Sequence, residues 1–198
     1  MLASINPLGE RARSRRWGRT VSAYLAGSAS GGAAVGALLG LLGHLAGTGQ
    51  SLATATATLA AACVGGLVFD LGVGGLRLPT IHRQVDKGWL DRYRGWVYGL
   101  GFGFQLGLGV VTVANTAAIY VTLVVAFVSG SPLVGAMIGT VFGLSRSLVI
   151  LSVRGVRQPE ELRQAHRRMR SWEPRSRQLS LGVQAAVGLA VVAVAVTG

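Results

Sequence analysis

Long apolar runs alternate with short polar segments along the whole chain. Five of these runs are as long as the roughly 20 residues that a helix needs to cross a bilayer. They cover residues 20–45, 51–76, 96–128, 132–153 and 178–197. Helix is the expected structure, because the strands of membrane β-barrels alternate in units of about ten residues. The pattern predicts a single all-α polytopic membrane domain over residues 1–198, a bundle of five transmembrane helices.

The third run is longer than one crossing requires. Residues 96–128 contain 33 uncharged residues in a row, which predicts one long helix that is tilted or kinked. Pro132 opens the fourth run. The first nine residues are too short to cross, and the sequence leaves open whether they enter the membrane as a short half-helix.

The basic residues are confined to alternate connections between the runs. Of the 19 Lys and Arg residues, five lie in residues 11–19, five in 77–94 and eight in 154–177, whereas residues 46–50 and 129–131 carry none. This is the positive-inside pattern of a multi-pass protein. It places the loops 77–95 and 154–177 in the bacterial cytoplasm, with the amino terminus inside and the carboxyl terminus outside.

The net charge of +12 is therefore explained by membrane topology rather than by a nucleic-acid partner. The expected partners are the lipid bilayer and anionic lipid headgroups at the cytoplasmic face. Cys63 is the single cysteine, so no disulfide forms within the chain. The histidines at 44, 82 and 166 show no metal-ligand spacing. We predict no metal, no cofactor and no catalytic set, and hence no enzyme.

Glycines recur at every fourth position in three of the runs. On a helix, this spacing forms a ridge that lets a neighbouring backbone approach closely in lipid, and the alternative is a span that unwinds locally. The predicted packing ridges are Gly32, Gly36 and Gly40; Gly95, Gly99, Gly103 and Gly107; and Gly135, Gly139 and Gly143.

Two charged residues lie inside the runs. Asp70 and Arg146 each sit roughly 10 Å in from the cytoplasmic end of their run, at about 1.5 Å per residue. An unpaired charge at this depth costs about 2–3 kcal/mol or more. One interpretation is a structural salt bridge between them, with each single alanine variant lowering the yield and a charge swap restoring it. The other is a substrate or proton site.

A polar stripe occupies the second half of the third run. Thr112, Asn115, Thr116 and Tyr120 share one helical face. This stripe either lines a polar pathway or forms hydrogen bonds to neighbouring helices. The residue types alone do not decide between the two.

Residues 98–109 read YGLGFGFQLGLG, and residues 4–8 read SINPL. The first segment resembles the glycine- and phenylalanine-rich sequence before the second redox cysteine of the CcdA/DsbD thiol-disulfide transporters, within the broader LysE-like group. The second stands where that family has its first Ser-Pro-Cys. The resemblance implies an inverted-repeat helical fold with the first helix reduced to a stub. It places any site between that stub and the middle of the long run.

The chain departs from that family at its chemistry. Gly109, Val110 and Val111 stand where the family has Thr-Pro-Cys, and Cys63 matches neither redox position. A redox-dead relative is implied. We therefore predict a non-enzymatic accessory or scaffold protein, or a degenerate transporter-fold subunit, with a membrane-protein partner or a second copy of itself. The alternative is a small exporter or permease that uses the polar residues as its pathway.

Overall fold

The computed structural model describes residues 7–12, 16–47, 52–71, 93–109 and 118–156, and single residues or short runs between 158 and 193. These residues form α-helices and one 3-10 helix, and no strand occurs among them. The prediction of an all-α chain is confirmed over this part of the molecule. The helices are α1 (Pro7–Ala12), α2 (Trp17–Leu45), α3 (Leu52–Leu71), α4 (Gly95–Leu108), α5 (Ala118–Val128), α6 (Pro132–Ser147) and the 3-10 helix Leu148–Val153.

Two helical stretches of the described residues are long and apolar enough to cross a membrane. They are Trp17–Leu45, with 29 residues, and Pro132–Val153, with 22 residues, which joins α6 to the 3-10 helix. Shorter apolar helices cover Thr54–Gly66 and Ile119–Val128. Over residues 160–172 and 178–193, the residues that are described are helical.

The helix ends follow local sequence signals. Gly47, with a φ of 71°, ends the turn after α2, where its N–H bonds to the carbonyl of His44 at 3.1 Å. Pro132 occupies the first position of α6, where its missing N–H costs no hydrogen bond. The carbonyl of Ser131 accepts the N–H of Gly135 at 2.8 Å, the first bond of that helix.

The run at residues 96–128 is not one continuous helix. Helix α4 ends at Leu108 because Gly109 takes the left-handed conformation, with a φ of 73°. The N–H of Gly109 bonds to the carbonyl of Leu106 at 3.2 Å and closes the last turn. The prediction of a single tilted or kinked helix is therefore wrong. The glycines that favour close packing also allow the backbone to reverse its twist at low steric cost.

The chain divides into two compact units. Unit 1 comprises Met1–Gly32, His82–Thr112 and Thr140–Glu173, and unit 2 comprises Ala33–Ile81, Val113–Gly139 and Pro174–Gly198. Among the described residues, unit 1 holds α1, α4, the 3-10 helix and parts of α2 and α6. Unit 2 holds α3 and α5, which pack on each other, and the remaining parts of α2 and α6.

Unit 1 is built around an aromatic core. Val21 and Tyr24 of α2 meet Tyr98 and Phe102 of α4 and Ile150 of the 3-10 helix, all five being buried. The rings of Tyr98 and Phe102 lie 5.9 Å apart between centroids and are tilted by 44°, within the range that aromatic pairs favour. This cluster fixes the three chain segments that carry the candidate site.

Candidate functional site

The seam between α2 and α4 is formed by backbone contact. A Cβ atom built on Gly99 would lie 2.5 Å from the carbonyl oxygen of Thr20, and one on Gly103 would lie 2.0 Å from that of Tyr24. These distances are far shorter than van der Waals contact, so the helices meet in this way only because both positions are glycine. The contacts advance by four residues in the same direction on both helices. Helices α2 and α4 are therefore parallel.

The same register continues along the seam. A Cβ on Gly107 would lie 2.1 Å from the carbonyl oxygen of Ser28 and 2.7 Å from the backbone nitrogen of Gly32. Gly27 and Gly31 of α2 complete the seam from the other side. A Cβ on Gly27 would lie 2.2 Å from the carbonyl oxygen of Leu100, and one on Gly31 would lie 2.4 Å from the carbonyl oxygen of Phe104. These two glycines are not among the predicted ridges, although they stand four residues apart like the others.

Within unit 2, α2 meets α6 in the same manner. A Cβ on Gly36 would lie 2.0 Å from the carbonyl oxygen of Gly135 and 3.1 Å from the Cα of Gly139. A Cβ on Gly40 would lie 2.3 Å from the carbonyl oxygen of Ser131. The residue numbers fall on α6 as they rise on α2. The two helices are antiparallel here.

Ser28 joins α2 to α6 within unit 1. A Cβ on Gly143 would lie 2.1 Å from the carbonyl oxygen of Ser28. The fully buried Ser28 hydroxyl donates to the Gly143 carbonyl at 2.7 Å. Ser28 therefore contributes its backbone to the glycines of two helices and its side chain to one of them.

Arg146 lies beside the end of α4. Its Nη1 donates to the carbonyl of Leu106 at 3.2 Å, and its guanidinium carbon lies 5.3 Å from the centre of the Phe142 ring. The Leu106 carbonyl also accepts the N–H of Gly109. The carboxyl end of a helix carries partial negative charge, which is a favourable environment for a guanidinium. Arg146 thus has a hydrogen-bond acceptor on α4, while the predicted salt bridge with Asp70 stays a prediction because the Asp70 side chain lies outside the described part of the structure.

Glu10 is a buried acidic residue of unit 1. Its side chain is 0 % exposed, and it accepts hydrogen bonds from the hydroxyl of Thr20 at 2.7 Å and from the hydroxyl of Tyr98. Thr20 and Tyr98 are themselves 1 % and 0 % exposed. Sequence reasoning missed Glu10 because it lies among arginines outside the apolar runs, where an acid is typical of a solvated surface.

Several predicted residues lie elsewhere in the chain or outside the part of it that the structure describes. Asp70 lies in the last turn of α3, and its side chain is outside the described part of the structure, as are three members of the polar stripe: Thr112, Asn115 and Thr116. Tyr120 is 38 % exposed on α5. Gly95 is buried at the start of α4.

The described side chains offer hydrogen bonds and packing rather than a reactive group. No cluster of three or more His, Cys, Asp or Glu side chains suited to a metal occurs among the described residues. Cys63 is buried in α3, and a Cβ on Gly188 would lie 3.4 Å from its Cβ, an ordinary packing contact. The site is thus a seam of backbone contact with a carboxylate near one end and a guanidinium farther along.

The chain is similar to a protein of methylamine metabolism. It is 27% identical over 135 residues to the methylamine utilization protein MauF of Methylophilus methylotrophus. The match covers 68% of this chain and 47% of that protein, so the chain spans about half the length of this curated relative. No family model matches the chain. No solved structure matches it either.

Proposed function

We propose that the chain is a non-enzymatic, multi-pass protein of the bacterial cytoplasmic membrane that acts as an accessory or scaffold subunit, or as a degenerate transporter-fold subunit. One observation carries this proposal. Three polar side chains at or beside the α2–α4–α6 seam are engaged within unit 1: Ser28 with Gly143, Arg146 with Leu106, and Glu10 with two hydroxyls. Groups held in this way favour a fixed helix arrangement over a solvated pathway.

The helix directions support the proposed topology. Helix α2 is parallel to α4, and in unit 1 it is antiparallel to α6, because Ser28 meets Gly143 while Val21 lies with Ile150. The start of α2, the start of α4 and the end of the 3-10 helix therefore belong to one end of unit 1. Exposed arginines mark each of these three points, namely Arg16 and Arg19, Arg94, and Arg154.

One end rich in arginine favours a cytoplasmic face. We place five spans between it and the opposite face, with the amino terminus inside and the carboxyl terminus outside. The same arginines are suited to anionic lipid headgroups. Exposed aromatic side chains at Tyr93, Trp96 and Trp172 fit the headgroup level of a bilayer.

The resemblance to the CcdA/DsbD group and the similarity to a methylamine utilization protein set the biological context. Helix α4 ends at Leu108, and the next residue, Gly109, stands where that group has the Thr of its Thr-Pro-Cys. A glycine and two valines in this place support a role without thiol chemistry. Methylamine utilization is the first process in which to look for the partner.

Purification into lipid nanodiscs from the native membrane tests the accessory role. Mass spectrometry is expected to find a second membrane protein in stoichiometric amount. That partner is expected to remain with Asn115→Leu and with the exposed control Gly18→Leu, and to be lost with Gly103→Leu, which would force the seam apart. A chain that purifies alone, or only with itself, contradicts the accessory role.

A small exporter or permease is the second candidate, favoured by the helix end at Leu108 and the left-handed Gly109 that follows it. Interrupted helices with a charged side chain at the break are typical of transporter binding sites. The test is the movement of labelled methylamine across membranes that contain the protein. A transporter is expected to lose this flux in Asn115→Leu at unchanged protein level, whereas a scaffold is expected to give no flux above background in either form.

A further inference from the structure

Helix α1 is too short to be stable by itself. It has six residues, Pro7–Ala12, and an isolated helix in water becomes appreciably stable only at about 12–15 residues. Its place in unit 1 must therefore come from tertiary contacts. Glu10 provides a buried contact between α1 and two other helices, because it reaches Thr20 on α2 and Tyr98 on α4.

A carboxylate is an unusual anchor for such a helix. Burial of an ionised side chain carries a large penalty unless hydrogen bonds replace its water. Here two hydroxyl groups provide those bonds, one from each of two parallel helices. The two donors are held in place by the core, since Tyr98 packs on Phe102 and Thr20 lies against Gly99.

We propose that α1 is a strap docked on the α2–α4 seam, and that the hydroxyls of Thr20 and Tyr98 form a receptor for the carboxylate of Glu10. The strap is held while these hydrogen bonds exist and is released when they are lost. This inference does not depend on whether the chain is a scaffold or an exporter, because it concerns how the amino-terminal helix is attached to unit 1.

The receptor discriminates by chemistry. Both hydroxyls donate, so the group between them must accept twice. A glutamine accepts through its oxygen but presents N–H groups on the other side, so it satisfies one hydroxyl and opposes the other unless that hydroxyl rotates. Glu10→Gln is therefore expected to weaken docking even though glutamine has nearly the same volume as glutamate. The effect is expected to be smaller than that of Glu10→Ala, which removes both acceptors.

Thiol labelling of the strap measures its attachment. In a Cys63→Ser background, Leu8→Cys provides a single thiol on the half-buried face of α1, and its reaction rate with a water-soluble maleimide is followed in lipid nanodiscs. Hydrogen bonds to charged groups are strong enough that Glu10→Ala is expected to raise the rate by roughly ten- to a hundredfold. Tyr98→Phe and Thr20→Val are each expected to raise it by a smaller factor.

A double-mutant comparison separates docking from general loosening. Tyr98→Phe is expected to leave the labelling rate unchanged when Glu10 is already alanine, because the bond it removes no longer exists. The matched controls are Tyr120→Phe and Thr58→Val, which remove exposed hydroxyls of the same types in unit 2. An unchanged rate in Glu10→Ala, or equal acceleration by the controls, would overturn the proposal.

Discussion

Gly103 is the residue at which the seam tolerates least change. A Cβ atom at this position would lie 2.0 Å from the carbonyl oxygen of Tyr24 and 2.9 Å from the backbone nitrogen of Ser28, so neither neighbour can move without moving α2. We predict that Gly103→Ala lowers the free energy of unfolding by about 1–3 kcal/mol, as other overpacked interiors do. Thermal unfolding in detergent measures the loss.

Gly18 provides the matched control on α2. Nothing lies within 4 Å of its Cβ position, and the residue is exposed. Gly18→Ala is expected to be neutral, or to stabilise by up to about 1 kcal/mol through helix propensity. Equal melting temperatures for the two alanine variants would show that α2 and α4 pack less closely than the contacts of Gly103 require.

Arg146 is predicted to stabilise the end of α4. Removal of its side chain leaves the Leu106 carbonyl with the weak turn bond from Gly109. Arg146→Ala is expected to cost about 1.5–3 kcal/mol, the usual range for a hydrogen bond to a charged group. Hydrogen exchange should rise at residues 105–109. The stability of Arg146→Lys should lie between those of the wild type and Arg146→Ala, because lysine keeps the charge but not the planar guanidinium.

The exposed Arg154 serves as the control for charge alone. Arg154→Ala is expected to leave both the melting temperature and the exchange of α4 unchanged. If Arg146→Ala behaves in the same way, the hydrogen bond to Leu106 contributes nothing to the helix end.

Single residues differ in how well their structural role can be predicted from the sequence. The spacing of Gly99, Gly103 and Gly107 alone suggests a ridge, because a period of four on a helix is a geometric fact. Glu10 gives no such signal. Its burial depends on a hydroxyl 10 positions away and another 88 positions away, and only the folded chain brings these together.

At the scale of elements, hydropathy located the apolar runs but not the end of α4. A window of apolar residues has the same mean hydropathy whether or not the backbone is continuous, so the 33 uncharged residues at 96–128 indicated one helix. The helix ends because the backbone of Gly109 is left-handed, and hydropathy does not report backbone conformation. The density of glycine around this position is the sequence feature that favours such an end.

The conformation of Gly109 leads to a prediction about that helix end. In the left-handed region, a residue other than glycine is destabilised by roughly 1–2 kcal/mol, and asparagine is destabilised less than alanine. Gly109→Ala is therefore expected to lower the melting temperature more than Gly109→Asn. The reverse order, or no effect from alanine, would mean that the helix continues past Leu108 without a change of twist.

At the scale of the whole molecule, the charge pattern and the helix directions of unit 1 are independent observations that agree with each other. The charge pattern is visible in the sequence, because residues 46–50 carry no Lys or Arg and residues 154–177 carry eight. The directions of α2, α4 and α6 are not visible in the sequence, because they are deduced from the pairs of glycines and carbonyl groups that lie in contact. Each assigns the start of α2, the start of α4 and the end of the 3-10 helix to a common end.

This agreement makes the orientation testable with two thiols. Ala46 follows α2 in an uncharged connection, and Gly155 follows the 3-10 helix among arginines, and both are exposed. In a Cys63→Ser background, we predict that a membrane-impermeant maleimide applied to intact cells labels Ala46→Cys, whereas Gly155→Cys reacts only in inverted vesicles. Labelling of both from the same side would contradict the five-span topology, because an odd number of crossings must separate the two positions if α2 starts inside.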